Sequence, residues 1–419
     1  MSNFFIYKNN QLFAEGLSTQ YLAQQFGTPL YVYSLASLKT AYQSYANACA
    51  QQNASVHYAV KANSNLAVLN TFARLGAGFD IVSEGELARV IKAQGNPNKI
   101  IFSGVGKSAK ELADALEAGI QSFNVESIAE LKHLAQIAQI KKQRAPISLR
   151  INPNINPNTH PYISTGLKHS KFGIAYEDAL HTYRQALTYS SLQIVGIDFH
   201  IGSQITSIEP YLEALDRILD LVKRLEHDGI KLKYINVGGG LGICYNDETP
   251  PLVSDFVSAM ISRRNQRGYE KLHLIFEPGR SLVGNSGILL TQVEYLKECH
   301  DKNFAIVDAA MNDLIRPSIY QAYHDVKAAQ IDTDRQTVNT YDIVGPVCES
   351  GDWLALNRQL SIAEKDILAI FSAGAYGFVM SSNYNSRPRA AEIMVDGQVA
   401  HVIREREQIT DLFSKEKII

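Results

Sequence analysis

The chain has 419 residues, 46% of them hydrophobic and 20% charged, enough for two domains with a large buried core and no need of disulfides or metal to hold it. A formal net charge of −2 with no Lys/Arg run leaves no electrostatic footprint for nucleic acid or a membrane surface. The four cysteines, Cys49, Cys244, Cys299 and Cys348, lie far apart without CxxC spacing, which fits a reducing compartment and argues against a disulfide framework or a zinc site.

In chain order, residues 1–8 lack the basic start and apolar run of a signal peptide, and no later stretch is apolar for long enough to span a bilayer. The expected location is the cytoplasm. Strand-like pieces follow at 4–7 and 30–33; whether they pair with what comes next is open. From residue 56 to 280 one unit then recurs: a short apolar run, a polar or glycine-rich tip, and a segment of helical period. The runs are 56–60, 78–82, 100–103, 122–125, 147–151, 194–200, 235–237 and 274–276, and segments such as 84–93 and 109–118 have apolar residues three and four apart. Eight such alternations predict an α/β fold with a closed (β/α)8 barrel; an open doubly wound sheet is the rival. One connection, 152–173, carries three prolines and little apolar periodicity, as a lid or substrate wall would. After Arg280 the runs 289–295, 304–307, 341–344, 367–371 and 391–395 are short and separated by Gly, Asn and Asp, which predicts a mostly β second domain. The expected division is an N-terminal segment 1–27 packing with the C-terminal domain, a barrel at 28–282, and the β domain at 283–419.

Barrel enzymes place reacting groups at the C-terminal ends of their strands. Reading those tips gives Lys61, Asp80 and Ser83, then His200 to Ser203, then Gly238, Gly239 and Gly240, and finally Glu277, Gly279 and Arg280. Three successive glycines let backbone N–H groups converge on an anion, although three glycines also make a tight turn. Phosphate sites on barrels favour the loops after strands seven and eight, where these glycines fall. A lysine closing a buried strand is desolvated, so its neutral amine can attack an aldehyde; elsewhere most lysines simply snorkel to solvent. Glu277 suits the protonated ring nitrogen of pyridoxal phosphate, or a salt bridge with Arg280. His200 is placed to stack on a flat ring, or to be a hydrogen-bonded core histidine. Together these groups describe a pyridoxal phosphate site without saying which reaction it runs.

Tyr58-Ala59-Val60-Lys61-Ala62-Asn63, His200-Ile201-Gly202-Ser203, the glycine triplet and Glu277-Pro278-Gly279-Arg280 resemble the motifs of the barrel-type pyridoxal phosphate decarboxylases. That family includes the diaminopimelate, ornithine and arginine decarboxylases, and the resemblance runs over about residues 25–410. It implies that Lys61 forms the Schiff base and that His200 stacks on the cofactor, with Asp80, Ser203, Gly238, Gly239, Gly240, Glu277, Gly279 and Arg280 around it. Val347-Cys348-Glu349-Ser350-Gly351-Asp352 and Arg316-Pro317-Ser318-Ile319-Tyr320 are similar to segments of the diaminopimelate branch, as is Gly374-Ala375-Tyr376-Gly377 with the stretch to Arg389. The resemblance implies Cys348 as proton donor, with Arg280, Arg316, Tyr320, Glu349 and Tyr376 binding substrate and Tyr376 also touching cofactor. The implied reaction converts meso-2,6-diaminopimelate to L-lysine and CO2 in a homodimer with shared active sites, with no metal. A second carboxylate on the substrate suits arginine's planar, always-charged fork. Rivals are decarboxylation of carboxynorspermidine, ornithine or arginine, and a relative that binds the cofactor without turnover. A metal hydrolase is poorly served, because the strand tips offer no His/Asp ligand cluster.

Overall fold

Short β-branched and aromatic runs, buried on both faces, form eight parallel strands: β1 (Ala54–Ala59), β2 (Gly78–Ile81), β3 (Ile100–Phe102), β4 (Ser122–Val125), β5 (Ala145–Asn152), β6 (Leu192–Asp198), β7 (Tyr234–Asn236) and β8 (His273–Phe276). Each pairs in parallel with the next, and β8 pairs with β1, so the barrel closes. The computed structural model describes residues 4–156 and 171–419. They divide into two compact units, one of residues 41–156, 171–243 and 249–281, the other of residues 4–40, 244–248 and 282–419. Most of the segment expected to act as a lid or wall, 152–173, lies outside the described residues. Among the described residues no helix is long and apolar enough to cross a membrane.

Three successive barrel helices begin alike. Ser83, Ser108 and Ser127 accept through their hydroxyls from the backbone N–H of Glu86, Glu111 and Glu130, starting helices Glu84–Lys92, Ala109–Glu117 and Ile128–Ile140. Each cap satisfies a donor the helix cannot, and is worth about 1 kcal/mol. It also fixes where the strand tip turns into its helix, which is where site residues sit. Between the strands, large rings lie over glycines. The Tyr234 ring crosses to Gly196, where an added Cβ would lie 2.3 Å from it, and its hydroxyl meets Ser122 Oγ at 2.6 Å. Tyr58, on the other face of β1 from His57, packs on Phe72 of helix Leu66–Arg74 with ring centroids 4.6 Å apart.

His57 lies over Gly78, its partner residue on β2, and is only 3% exposed. Burial lowers its pKa from 6.5 to about 3, and the charges of His273 and Lys99 push the same way. Above pH 6.5 the ring is neutral folded or unfolded, and its contribution to stability is fully present. Below that, only the unfolded chain takes up the proton. Stability should therefore fall by about 1.4 kcal/mol per pH unit on account of this group as pH drops from 6.5 toward 3. A His57→Gln variant should lose stability to urea less steeply between pH 6.5 and 4.5 than the parent; identical slopes would count against a neutral buried His57.

The second unit is built around one long strand, Gly287–Glu298. Antiparallel pairing joins it to Leu30–Ser34 and Ile367–Ile370 over its first half and to Asn303–Val307 over its second. Asn339–Val344 and Trp353–Leu360 extend the sheet beyond Asn303–Val307, while Ala391–Asp396 and Val399–Arg404 extend it beyond Leu30–Ser34. The pairing left open for Leu30–Ser34 is thus with this unit's strands, and Phe5–Lys8 forms a hairpin with Gln11–Ala14. Tyr31, Tyr33, Leu289, Val293, Val307, Leu354, Leu368 and Ile370 fill one core cluster. The fold class is therefore a (β/α)8 barrel with a mostly β C-terminal region.

Candidate active site

The barrel unit gathers its expected residues at the C-terminal ends of the strands. β1 stops at Ala59, and Val60–Ala62 forms a single 3-10 turn, so Lys61 does not close a buried strand. Its side chain is 40% exposed, and its Nζ donates to Asp80 Oδ2 at 2.8 Å from the end region of β2. The pairing with Asp80, which reading single strand tips did not show, sets the position of this amine. Ser83, also read as a tip residue, serves as the helix cap described above.

The glycine triplet also departs from expectation. Gly238 N–H donates to Asn236 Oδ1 at 2.9 Å and Gly239 N–H to His200 Nδ1 at 3.3 Å, so two of the three groups expected to face an anion are used inside the protein. Glycine is required here by close approach. A Cβ on Gly239 would lie 2.1 Å from the Glu277 carbonyl oxygen, and one on Gly240, whose φ is +105°, would lie 2.2 Å from the Gly202 carbonyl oxygen. Arg280 is buried just after Gly279 and donates to Ser203 Oγ through Nη2 at 3.1 Å and Nε at 3.4 Å. Glu277 accepts from Asn236 Nδ2, so it meets an amide where a salt bridge with Arg280 was the alternative.

Electrostatics at this end of the barrel are dominated by carboxylates. Asp80, Glu126, Asp198 and Glu277 are all buried, and the cations among them are Lys61 and Arg150. Arg150 reaches Glu126 at 3.1 Å and Asp198 at 3.8 Å. Burial raises Asp198 to about 7 against the pull of Arg150, with Glu126 and Asp80 adding like charge. Burial also holds Glu277 well above the ordinary carboxylate range, helped by Asp80 and Asp198 and opposed by Lys61 and the Asn236 hydrogen bond. His200 is pushed well below its ordinary value by burial, then by the charges of Arg150 and Lys61. Its Nδ1 accepts from Gly239, so the ring is neutral with its proton on Nε2. Arg150, Asp198 and Asn236 were missed from sequence. Their signal was a charged or amide residue interrupting an otherwise apolar strand.

In the second unit, Arg316 opens the short helix Arg316–Tyr320, with Pro317 in its first turn. It is buried, and Tyr320 is half-buried. Cys348 and Glu349 are exposed. The Cys348 N–H donates to Asn385 Oδ1 at 2.8 Å. The loop's base is held by Asp352, which accepts from Met311 N–H and Val347 N–H, each at 2.7 Å. Tyr376 sits at φ +55°, a left-handed conformation that costs energy for a non-glycine residue and gathers at functional sites. Nearby Gly374 approaches the chain so closely that a Cβ would lie 1.9 Å from the Val283 carbonyl oxygen.

The profile of the family described as "Pyridoxal-dependent decarboxylase, pyridoxal binding domain" matches residues 35–284. The diaminopimelate decarboxylase of Pseudomonas aeruginosa is 53% identical over 415 residues, covering 99% of this chain and 99% of the relative. The chain belongs to the diaminopimelate decarboxylases, within the pyridoxal-dependent decarboxylase family. Among solved structures, diaminopimelate decarboxylase from Helicobacter pylori complexed with L-lysine has a TM-score of 0.91 at 42% identity, covering 95% of this chain and 98% of that one. The enzyme from M. jannaschii in co-complex with L-lysine has a TM-score of 0.95 at 38% identity, with 100% and 98% covered. The tips read from sequence as a cofactor site all lie within the stretch that the family profile matches.

Proposed function

We propose that the chain converts meso-2,6-diaminopimelate to L-lysine and CO2, the last step of lysine synthesis by that route, with pyridoxal phosphate held at the barrel mouth. The observation that carries the reading is the convergence there of Lys61, the buried acid Glu277, and Arg280 with Ser203 beside Gly240. These residues suit the group. Glu277 is buried with its pKa held well above the ordinary carboxylate range, so a positive charge beside it is favoured, and it is the acid assigned to face the protonated ring nitrogen. Lys61 is the residue that would link the cofactor's aldehyde covalently. Arg280, Ser203 and the Gly240 backbone would hold the phosphate, while Gly238 and Gly239, whose N–H groups bond within the protein, and Gly279 keep the chain close. A Cβ on Gly279 would press on Ala59 and Ala62 at 3.1–3.2 Å. Neutral His200 is assigned to the ring face.

Bound there, pyridoxal phosphate supplies a sink for the electron pair left behind as CO2 departs. The remaining work falls to side chains. Asp80 anchors the Lys61 ammonium at the mouth. Arg316, Tyr320, Glu349 and Tyr376, with Arg280, are assigned to the substrate, Arg316 taking the carboxylate that is retained. Cys348 is assigned the return of a proton to the carbon that lost CO2. The same reading puts the reaction in the cytoplasm, supported by four free cysteines.

The reading includes a homodimer in which Cys348 of one chain serves the barrel of its partner, supported by the family resemblance and by the exposure of Cys348. Lys61→Ala and Cys348→Ala homodimers should each be nearly inactive in releasing CO2 and L-lysine. After full random exchange half the dimers are mixed and carry one intact site of two, so activity should return to about a quarter of the parent's. Confirmed exchange without recovery would place Cys348 in its own chain's site or outside the reaction.

A further inference from the structure

The second unit holds Arg316 in a cradle that none of the recognised motifs contains. Its Nη1 lies 2.9 Å from His324 Nε2, and His324 Nδ1 lies 2.8 Å from the Phe371 carbonyl oxygen. A carbonyl can only accept and a guanidinium can only donate, so Nδ1 carries the proton and Nε2 offers its lone pair. Both neighbours demand the same neutral tautomer. His324 is fully buried. Tyr245 completes the cradle, its ring centroid 4.7 Å from the Arg316 guanidinium carbon and 5.4 Å from the His324 ring, which it meets edge to face at 78°.

We propose that His324 and Tyr245 are positioning residues that set the enzyme's preference for substrates keeping a second carboxylate. This rests on the reading of Arg316 as that carboxylate's partner. An arginine side chain has many rotamers, and freezing them on binding weakens the complex. Here the guanidinium is held beforehand, by a hydrogen bond at one end and the Tyr245 ring beneath its central carbon. Both cradle partners are neutral, so they orient the guanidinium without cancelling its charge, as a carboxylate in the position of His324 would. The positive charge stays available to an anionic ligand.

The test uses the holoenzyme and two inhibitors: L-lysine, which keeps the carboxylate, and 1,5-diaminopentane, which lacks it. His324→Leu should raise the KM for meso-diaminopimelate and the Ki of L-lysine about tenfold, while kcat and the Ki of 1,5-diaminopentane change less than about twofold. His324→Gln should restore most of the loss, since its amide can donate to the Phe371 carbonyl and accept from Arg316. Tyr245→Leu should show the same selective loss, and it carries the test if His324→Leu does not fold. Equal weakening of both inhibitors, or no rescue by glutamine, would overturn the proposal. Arg316→Leu is measured alongside. If it weakens L-lysine and the cradle variants do not, the cradle proposal alone fails; if Arg316→Leu itself leaves L-lysine inhibition unchanged, the assignment of Arg316 fails.

Discussion

Replacing Lys61 by Ala is expected to remove the visible absorbance of protein-linked pyridoxal phosphate and essentially all decarboxylation. The argument is one of available amines. Lys107, a buried lysine near the strand tips, has its Nζ committed to Gly104 O at 2.7 Å, Asn124 O at 2.9 Å and Glu130 Oε1 at 2.7 Å. All three of its donors are used in a nearly solvent-free place, so reaction there would break a buried ion pair. Lys61 pairs with Asp80 but stays 40% exposed, so its amine can be reached. Arg280, Ser203 and the glycine segment remain in the variant, which should still retain some cofactor non-covalently. A Lys61→Ala protein whose link to the cofactor is still reducible by borohydride would show that another lysine is the anchor.

Replacing Arg316 by Leu should cost about 2–5 kcal/mol of binding for meso-diaminopimelate, as expected when one partner of a desolvated charge pair is removed. The penalty should be much smaller for lysine-like ligands that lack the retained carboxylate, such as D-lysine. Comparison of kcat/KM for the two substrates in parent and variant measures it. Equal losses for both would leave Arg316 with a structural role only. Leucine would also abandon the cation–ring contact with Tyr245 and the hydrogen bond to His324, so thermal unfolding of the variant belongs beside the kinetics.

Much of this was legible in the sequence because barrel strands advertise themselves. Runs at 78–82 and 100–103 differ from the observed Gly78–Ile81 and Ile100–Phe102 by a single residue at the end. Tips carrying Lys61, Asp80, His200 and Glu277 were readable because strand ends are where barrel chemistry sits. What failed was local physics that depends on neighbours in space. Lys61 looked desolvated because β1 appeared to include it, but the turn at Val60–Ala62 lifts it out. The glycine triplet looked like three free donors, but Asn236 and His200 take two of them. The Ser-x-x-Glu spacings at Ser83, Ser108 and Ser127 were visible and went unused, although each marks a helix start. Leu30–Ser34 could not be placed, since its partners at Gly287–Glu298 and Ala391–Asp396 lie hundreds of residues away. His324 carried no signal at all. Its role appears only when folding brings Tyr245, Arg316 and Phe371 around it.

The most direct test of the proposed reaction is a ranking of substrates on one preparation reconstituted with pyridoxal phosphate. CO2 release is followed for meso-diaminopimelate, carboxynorspermidine, ornithine and arginine, with the amine product identified in each case. The expected result is one CO2 and one L-lysine per meso-diaminopimelate consumed, dependent on the cofactor, with kcat/KM at least about a hundredfold above the others, on the order of the 2–5 kcal/mol assigned to Arg316. A higher kcat/KM for any of the other three, or no CO2 from any of the four, would contradict it.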